Sequence, residues 1–138
     1  MIGIVLVSHG RLADAVLETA TEIVGPFEHA ESLAVSRAER LQDVEARIRE
    51  SIRRVDGGDG VLILADMFGG TAANVALQLV GEHRVEVVTG FNLPMLLKLS
   101  TAVETATELS TLAQLLKFYG QKNVLVASEL LKEREQDG

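Results

Sequence analysis

Two residues able to do chemistry interrupt long apolar runs. His9 follows the run IGIVLV of residues 2–7 and Ser8, and Asp66 follows VLILA, residues 61–65. Both positions are strand ends if those runs are strands. In open α/β sheets the ligand crevice lies outside the carboxyl ends of the strands, where neighbouring connections leave in opposite directions. In a 2-1-3-4 strand order the first and third strands are adjacent, about 4.8 Å apart, which brings an imidazole and a carboxylate into one crevice. A carboxylate that accepts a hydrogen bond from one ring nitrogen fixes the tautomer. The other nitrogen then keeps its lone pair, and positive charge developing on the ring is stabilised. Such a histidine is a nucleophile or a base; the competing reading is a strand-end histidine that only bonds a loop. Directly after Asp66 and Met67 comes Phe68-Gly69-Gly70-Thr71. Two glycines let backbone N–H groups converge, and the start of a following helix adds unpaired donors and positive dipole, which suits a phosphoryl group. Thr71 either caps that helix or donates to a phosphoryl oxygen. A bare Gly-Gly-Thr is more often an ordinary turn, so its weight comes from its place beside His9. Together the three features describe a histidine that accepts a phosphoryl group next to an anion cradle.

The rest of the chain supplies the frame. Continuous β-branched runs suit strands buried on both faces. Leu12, Ala15, Val16, Thr19, Ala20 and Ile23 recur at helical spacing up to Gly25-Pro26, and Leu41, Val44, Ile48, Ile52 and Val55 do the same with a charged outer face. Short strands are expected around residues 33–35 and 84–88, and a helix over 72–80. Asn92-Leu93-Pro94 opens another, with proline in the first turn, where a missing N–H costs little. Residues 104–119 read as helix with Leu109, Leu112, Leu116 and Tyr119 inward and Gly120 as its stop. A last strand is expected at 124–127, at the sheet edge or in a dimer contact, before a charged tail, 129–138, that frays. The alternation predicts one α/β domain over 1–138, an open, doubly wound, mostly parallel sheet with helices on both faces.

Other residues that could carry chemistry are weaker. His29 and His83 lie in polar connections and read as surface residues. No two histidines have ligand spacing and no cysteine is present, which argues against zinc. Gly57-Gly58-Asp59-Gly60 precedes a strand instead of following one, so it reads as a loop. Met95, Leu96 and Leu97 read as core or interface, and the charges of 38–56 as a solvated helix face.

Length and composition narrow the classes. A chain of 138 residues and 14.9 kDa forms a single core without help from disulfides or metals. Thirteen Lys and Arg against twenty Asp and Glu give a net charge of −7, which leaves no electrostatic footprint for nucleic acid. Aromatic residues are 4% of the chain, too few for base-stacking platforms. MIGIVLV has no basic stretch before it and stops far short of the roughly 20 apolar residues that span a bilayer. A soluble, untargeted, cytoplasmic protein is expected.

With His9, Asp66 and the glycine loop in place, the chain resembles the IIA component of the mannose family of the bacterial sugar phosphotransferase system. The likeness covers nearly the whole length. It rests on Ser8-His9-Gly10, on residues 64–74 (LADMFGGTAAN) and on residues 89–96 (TGFNLPML). In that family the histidine after the first strand takes a phosphoryl group from the phosphocarrier HPr and passes it to a IIB component. The resemblance therefore implies His9 as the phosphorylation site and Asp66 as its orienting carboxylate, beside the phosphoryl-binding loop of Phe68, Gly69, Gly70 and Thr71 read above. It implies a homodimer joined through the C-terminal strand, and no metal or organic cofactor. Where family members often have Ser-Pro-aromatic, this chain has Thr71-Ala72-Ala73, which keeps the hydroxyl and loses the ring. Nothing resembling a IIB domain follows Gly138, so a separate acceptor chain is expected, with or without a membrane permease.

Three other readings compete. A phosphoaspartate receiver also ends its third strand in Asp, but it needs further acidic residues after the first strand, where this chain has Ser8-His9. The phosphocarrier subunit of dihydroxyacetone kinases has related architecture; Phe68-Gly69-Gly70 and Asn92-Leu93-Pro94 favour the mannose type. A non-catalytic regulatory module using the same crevice is the third.

Overall fold

The computed structural model describes residues 1–82 and 84–137, the last of these by its backbone. The element order is β1 (Gly3–His9), α1 (Leu12–Val24), β2 (Ala30–Val35), α2 (Leu41–Val55), β3 (Val61–Ala65), α3 (Thr71–Leu79), β4 (Val85–Thr89), α4 (Leu93–Thr105), α5 (Leu109–Lys122) and α6 (Ala127–Asp137). The four strands form one parallel sheet in the order β2-β1-β3-β4. From β1 the chain runs outward to β2, then crosses back to β3 on the other side. The switch point falls between β1 and β3, as the strand-end argument requires.

Strand side chains alternate between faces, and this divides the core into two layers. Val5, Val7, Val61, Ile63 and Ala65 pack with α2 and α3. Ile4, Leu6, Leu62 and Leu64 pack with α1, α4 and α5. Both faces are covered, which is why β1 and β3 read as unbroken apolar runs. The same alternation sends Ser8 toward the α1 layer and His9 toward the α3 layer.

Several elements differ from the sequence reading. The buried stripe of α1 is Ala13, Val16, Leu17 and Ala20, whereas Leu12, Ala15, Thr19 and Ile23 are exposed. The alanines let α1 lie close to the sheet, and the helix is turned by about one residue. Residues 104–119 are not one helix: α4 continues to Thr105 and α5 begins at Leu109. Gly120 does not stop a helix but lies buried inside α5, because a Cβ there would come 2.7 Å from Met95 Cε. Val124, Leu125 and Val126 make no strand. They leave the end of α5 without pairing to either edge strand of their own sheet, β2 or β4, and all three are exposed. Ala127 already belongs to α6, whose described side chains are exposed throughout, so the segment expected to fray is helical to Asp137.

Candidate functional site

His9 is the last residue of β1. Its partner in register on β2 is Val35, and on the other side Val7 pairs with Ala65. Asp66 is one residue past Ala65, and its N–H donates to the Val7 carbonyl at 3.2 Å. Sequence reasoning placed His9 and Asp66 in one crevice; here they touch. His9 Nδ1 lies 2.8 Å from Asp66 Oδ2. The backbone N–H of His9 donates to the same oxygen at 3.0 Å, and that of Met67 donates to Oδ1 at 2.9 Å.

Asp66 is partly buried, which works against its charge, but the hydrogen bonds from the His9 ring, the His9 amide and Met67 outweigh this and hold its carboxyl below the ordinary value. An ionised carboxylate is acceptor-only, so Nδ1 carries the proton of the bond, and in the neutral ring the lone pair is on Nε2. The imidazole side chain is 46% exposed and Asp66 10%. The imidazole is thus held from the inner side by Asp66 and is nearly half open to solvent.

The glycine loop shapes this pocket in a way not anticipated. Gly69, at φ +89°, supplies the turn. Gly70 has φ −81° and ψ 164°, an extended conformation open to any residue. Its need is steric: a Cβ at Gly70 would sit 2.6 Å from His9 Cε1 and 3.2 Å from Nε2. The imidazole therefore lies directly against the backbone that starts α3.

Gly70 is the N-cap of α3, with no side-chain cap bond and no acidic residue in the first turn. The first N–H groups of a helix have no partner within it, so this terminus stays open beside Nε2. The start of α1, also near His9, differs: Ser8 Oγ accepts the Ala13 N–H at 2.7 Å, and Asp14 lies in the first turn. Thr71 is the first residue of α3 and its side chain is exposed; the structure gives it no capping bond, so its hydroxyl stands at the open terminus. Phe68 contributes through its backbone to the loop, while its ring is 71% exposed. With Leu12, Leu41 and Met67, also exposed, it forms an apolar rim at the first three strand-to-helix connections.

The fourth connection closes the site. Gly90 and Phe91 N–H groups donate to the Ala65 carbonyl at 2.9 and 3.4 Å. Asn92 caps α4 by accepting the Met95 N–H at 3.0 Å and donates from Nδ2 to the Gly120 carbonyl at 2.9 Å. The last turn of α5 is thereby fixed at the same end of the sheet as His9. No local signal announces that bond, because its two ends are 28 residues apart. His29 is exposed in the connection before β2, at the opposite end, where its carbonyl accepts the Ile4 N–H at 2.8 Å. His83 lies outside the described residues. Among the described residues no group of three His, Cys, Asp or Glu is placed to hold a metal ion.

Comparison with known proteins decides the family. The model of the family EIIA-man, described as "PTS system fructose IIA component", matches residues 3–116. The chain belongs to this mannose family of phosphotransferase-system IIA components. It is 28% identical over 134 residues to the "PTS system fructose-specific EIIA component" of Bacillus subtilis (strain 168), covering 96% of this chain and 91% of that protein. It is 31% identical over 98 residues to the "PTS system mannose-specific EIIAB component" of Escherichia coli (strain K12), covering 70% of this chain but 30% of that longer protein. Among solved structures, the mannose/sorbose specific IIA subunit from Enterococcus faecalis superposes with a TM-score of 0.81 at 30% identity, over 91% of this chain and 93% of that one. These likenesses do not favour a dihydroxyacetone kinase subunit or a regulatory binding module. No described helix is long and apolar enough to cross a membrane.

Proposed function

We propose that this IIA component is a single-domain histidine phosphocarrier, with His9 Nε2 accepting a phosphoryl group from HPr and delivering it to a separate IIB component in the cytoplasm. The observation that carries the reading is the 2.8 Å bond from His9 Nδ1 to Asp66, which turns the free Nε2 toward the open start of α3. The Nε2 lone pair attacks phosphorus while the P–N bond to the histidine of HPr breaks and returns its electron pair to that ring. Positive charge gained by the His9 ring is shared with Asp66 through the Nδ1 proton, and the amides at Gly70 and Thr71 face the phosphoryl oxygens. No proton need cross the interface. Delivery to IIB is the same displacement reversed. The apolar rim of Leu12, Leu41, Met67 and Phe68 suits docking of a protein donor, since exposed patches of this kind mark interaction sites.

Incubation with enzyme I, HPr and phosphoenolpyruvate is expected to place one acid-labile, alkali-stable phosphoryl group on the chain. His9→Ala abolishes it, while His29→Ala and His83→Ala do not. Label that survives in the His9→Ala protein overturns the assignment.

The protein is further read as a homodimer. Val124, Leu125 and Val126 are exposed apolar residues without a partner strand, and β4 is the last strand of the sheet. Along β4, between Val87, Val88 and Thr89 on one side and Ala113 and Lys117 of α5 on the other, runs a groove of about 350 Å³. An edge strand with open backbone groups and an extended apolar segment are complementary between two copies. Light scattering should report a dimer at micromolar concentration, and deletion of residues 121–138 should weaken it; a monomer of the full chain sinks this claim.

A further inference from the structure

Ser8 is fully buried and takes no part in the displacement described above. It faces the α1 layer, on the opposite side of β1 from His9. Its Oγ accepts the Ala13 N–H at 2.7 Å and donates to the Gly10 carbonyl at 3.3 Å. One hydroxyl thus occupies the first turn of α1 and closes the turn after His9. Gly10, at φ +55°, is the most pliable point of that turn, because glycine resists neither sign of φ.

The backbone around His9 is held from three sides. The His9 N–H donates to Asp66, the Gly10 N–H donates to the Val35 carbonyl at 3.0 Å, and Ser8 holds the Gly10 carbonyl. Asp66 and Val35 anchor the turn to the neighbouring strands. Ser8 ties its start to the helix that follows, while its far end is bound where the Arg11 carbonyl accepts the Ala15 N–H at 3.0 Å. Without the hydroxyl, the buried Ala13 N–H has no acceptor, and a buried orphan donor is costly. The cheapest relief is rotation about Gly10, which shifts the residue carrying the ring.

We propose that Ser8 is a positioning residue for phosphoryl transfer: its buried hydroxyl locks the turn of residues 9–12 so that His9 keeps Nδ1 on Asp66 and Nε2 toward the start of α3. This rests on the reading of His9 as the phosphoryl acceptor. A displacement of about 1 Å at a reacting atom costs up to about 100-fold in rate, so the loss is read in the transfer step and not in docking.

The test measures single-turnover transfer from phosphorylated HPr to the full-length wild type and to Ser8→Ala, Ser8→Cys and Ser8→Thr. Thermal melts give the folded fraction of each, and ¹⁵N NMR of the imidazole reports the His9 tautomer. In Ser8→Ala the rate at saturating HPr should fall about 10- to 100-fold, with half-saturation by HPr unchanged within about twofold and the tautomer shifted from Nδ1–H toward a mixture. Ser8→Thr, which keeps the hydroxyl, should recover most of the rate. Ser8→Cys keeps the volume with a poor acceptor and should behave like Ser8→Ala; it is the variant to read if Ser8→Ala does not fold. A normal rate in the folded Ala or Cys variant, a loss confined to HPr affinity, or an unchanged tautomer overturns the proposal. His9→Ala run in parallel separates the two readings: label persisting there overturns the phosphohistidine assignment itself, whereas label lost there with Ser8→Ala normal overturns only the role of Ser8.

Discussion

Gly70→Ala isolates the geometry of the His9 imidazole, the nucleophile of the proposed transfer, from the stability of the fold. The backbone at Gly70 is extended, so alanine brings no conformational strain. The new Cβ meets His9 Cε1 at 2.6 Å. Relieving that contact to the 3.4 Å at which ordinary van der Waals separation begins moves the ring by about 0.8 Å. The ring is nearly half exposed and can swing into solvent, so the fold loses little. Replacing an N-cap glycine by alanine costs about 1 kcal/mol or less. The hydrogen bond to Asp66 fares worse. A shift of that size away from Gly70 stretches the 2.8 Å Nδ1 contact toward the limit of hydrogen bonding, and it carries Nε2 off the start of α3. The expected result is a fall of about 100-fold in single-turnover transfer from phosphorylated HPr, with a melting temperature within a few degrees of the wild type. Gly70→Val, with two more methyl groups, should be slower still. Rapid-quench transfer and calorimetry on the same samples decide the matter. A folded Gly70→Ala protein that transfers within threefold of the wild-type rate refutes the steric argument, and so does a rate loss fully accounted for by unfolding.

The other expectations concern the carboxylates and the rim. Asp66→Asn keeps the shape but removes the charge and turns an NH₂ toward the N–H donors of His9 and Met67, so transfer from HPr should fall about 10²- to 10³-fold; stopped-flow kinetics showing an unchanged rate would place Asp66 outside the mechanism. Arg54 holds Glu31 below its ordinary value despite partial burial, with Ser51 adding to it, and the His9 and Met67 bonds do the same for Asp66. Folding favours the ionised form of both, so their stabilisation is complete above the unfolded carboxylate values near about 4 and is lost as pH falls through the lower folded ones. Thermal melts should be flat from pH 7 to about 5 and decline below about 4, less steeply in Glu31→Gln; a melting temperature that rises on acidification contradicts the assignment. Phe68→Ala, at an exposed ring, should leave the melting temperature unchanged and raise the KM for HPr about tenfold; an unchanged KM removes Phe68 from the docking surface.

Strand order and the meeting of His9 with Asp66 were legible because they follow from a few rules: unbroken apolar runs bury both faces, crossovers bring β1 beside β3, and polar residues at the carboxyl ends gather at the switch point. What was not legible depended on partners remote in sequence. The apolar residues of α1 fit two adjacent helical phases, and the small alanines that settle the choice do so by letting the sheet approach. Gly120 looks like a stop until Met95 is placed against it. The run at 124–126 has strand propensity, but propensity makes no strand where the segment does not reach an edge of its own sheet, and α6 follows because residues 127–137 are rich in helix formers. At the site, Gly70 read as one of two glycines that let the backbone turn and its N–H groups converge, and it is also the floor under the imidazole, a role visible only once His9 is packed upon it.

The bond from Asn92 to Gly120 has a consequence for how this protein could be linked to others. It pins the end of α5 to the pole of the sheet where His9 stands, so whatever is carried beyond Lys122 is tethered at the His9 end of the molecule and not across from it. A short flexible connection from that point gives an attached module an effective concentration in the millimolar range. An acceptor joined there would meet phosphorylated His9 by local diffusion, whereas one joined at Met1, at the far end of the strands, would need a linker long enough to round the whole sheet.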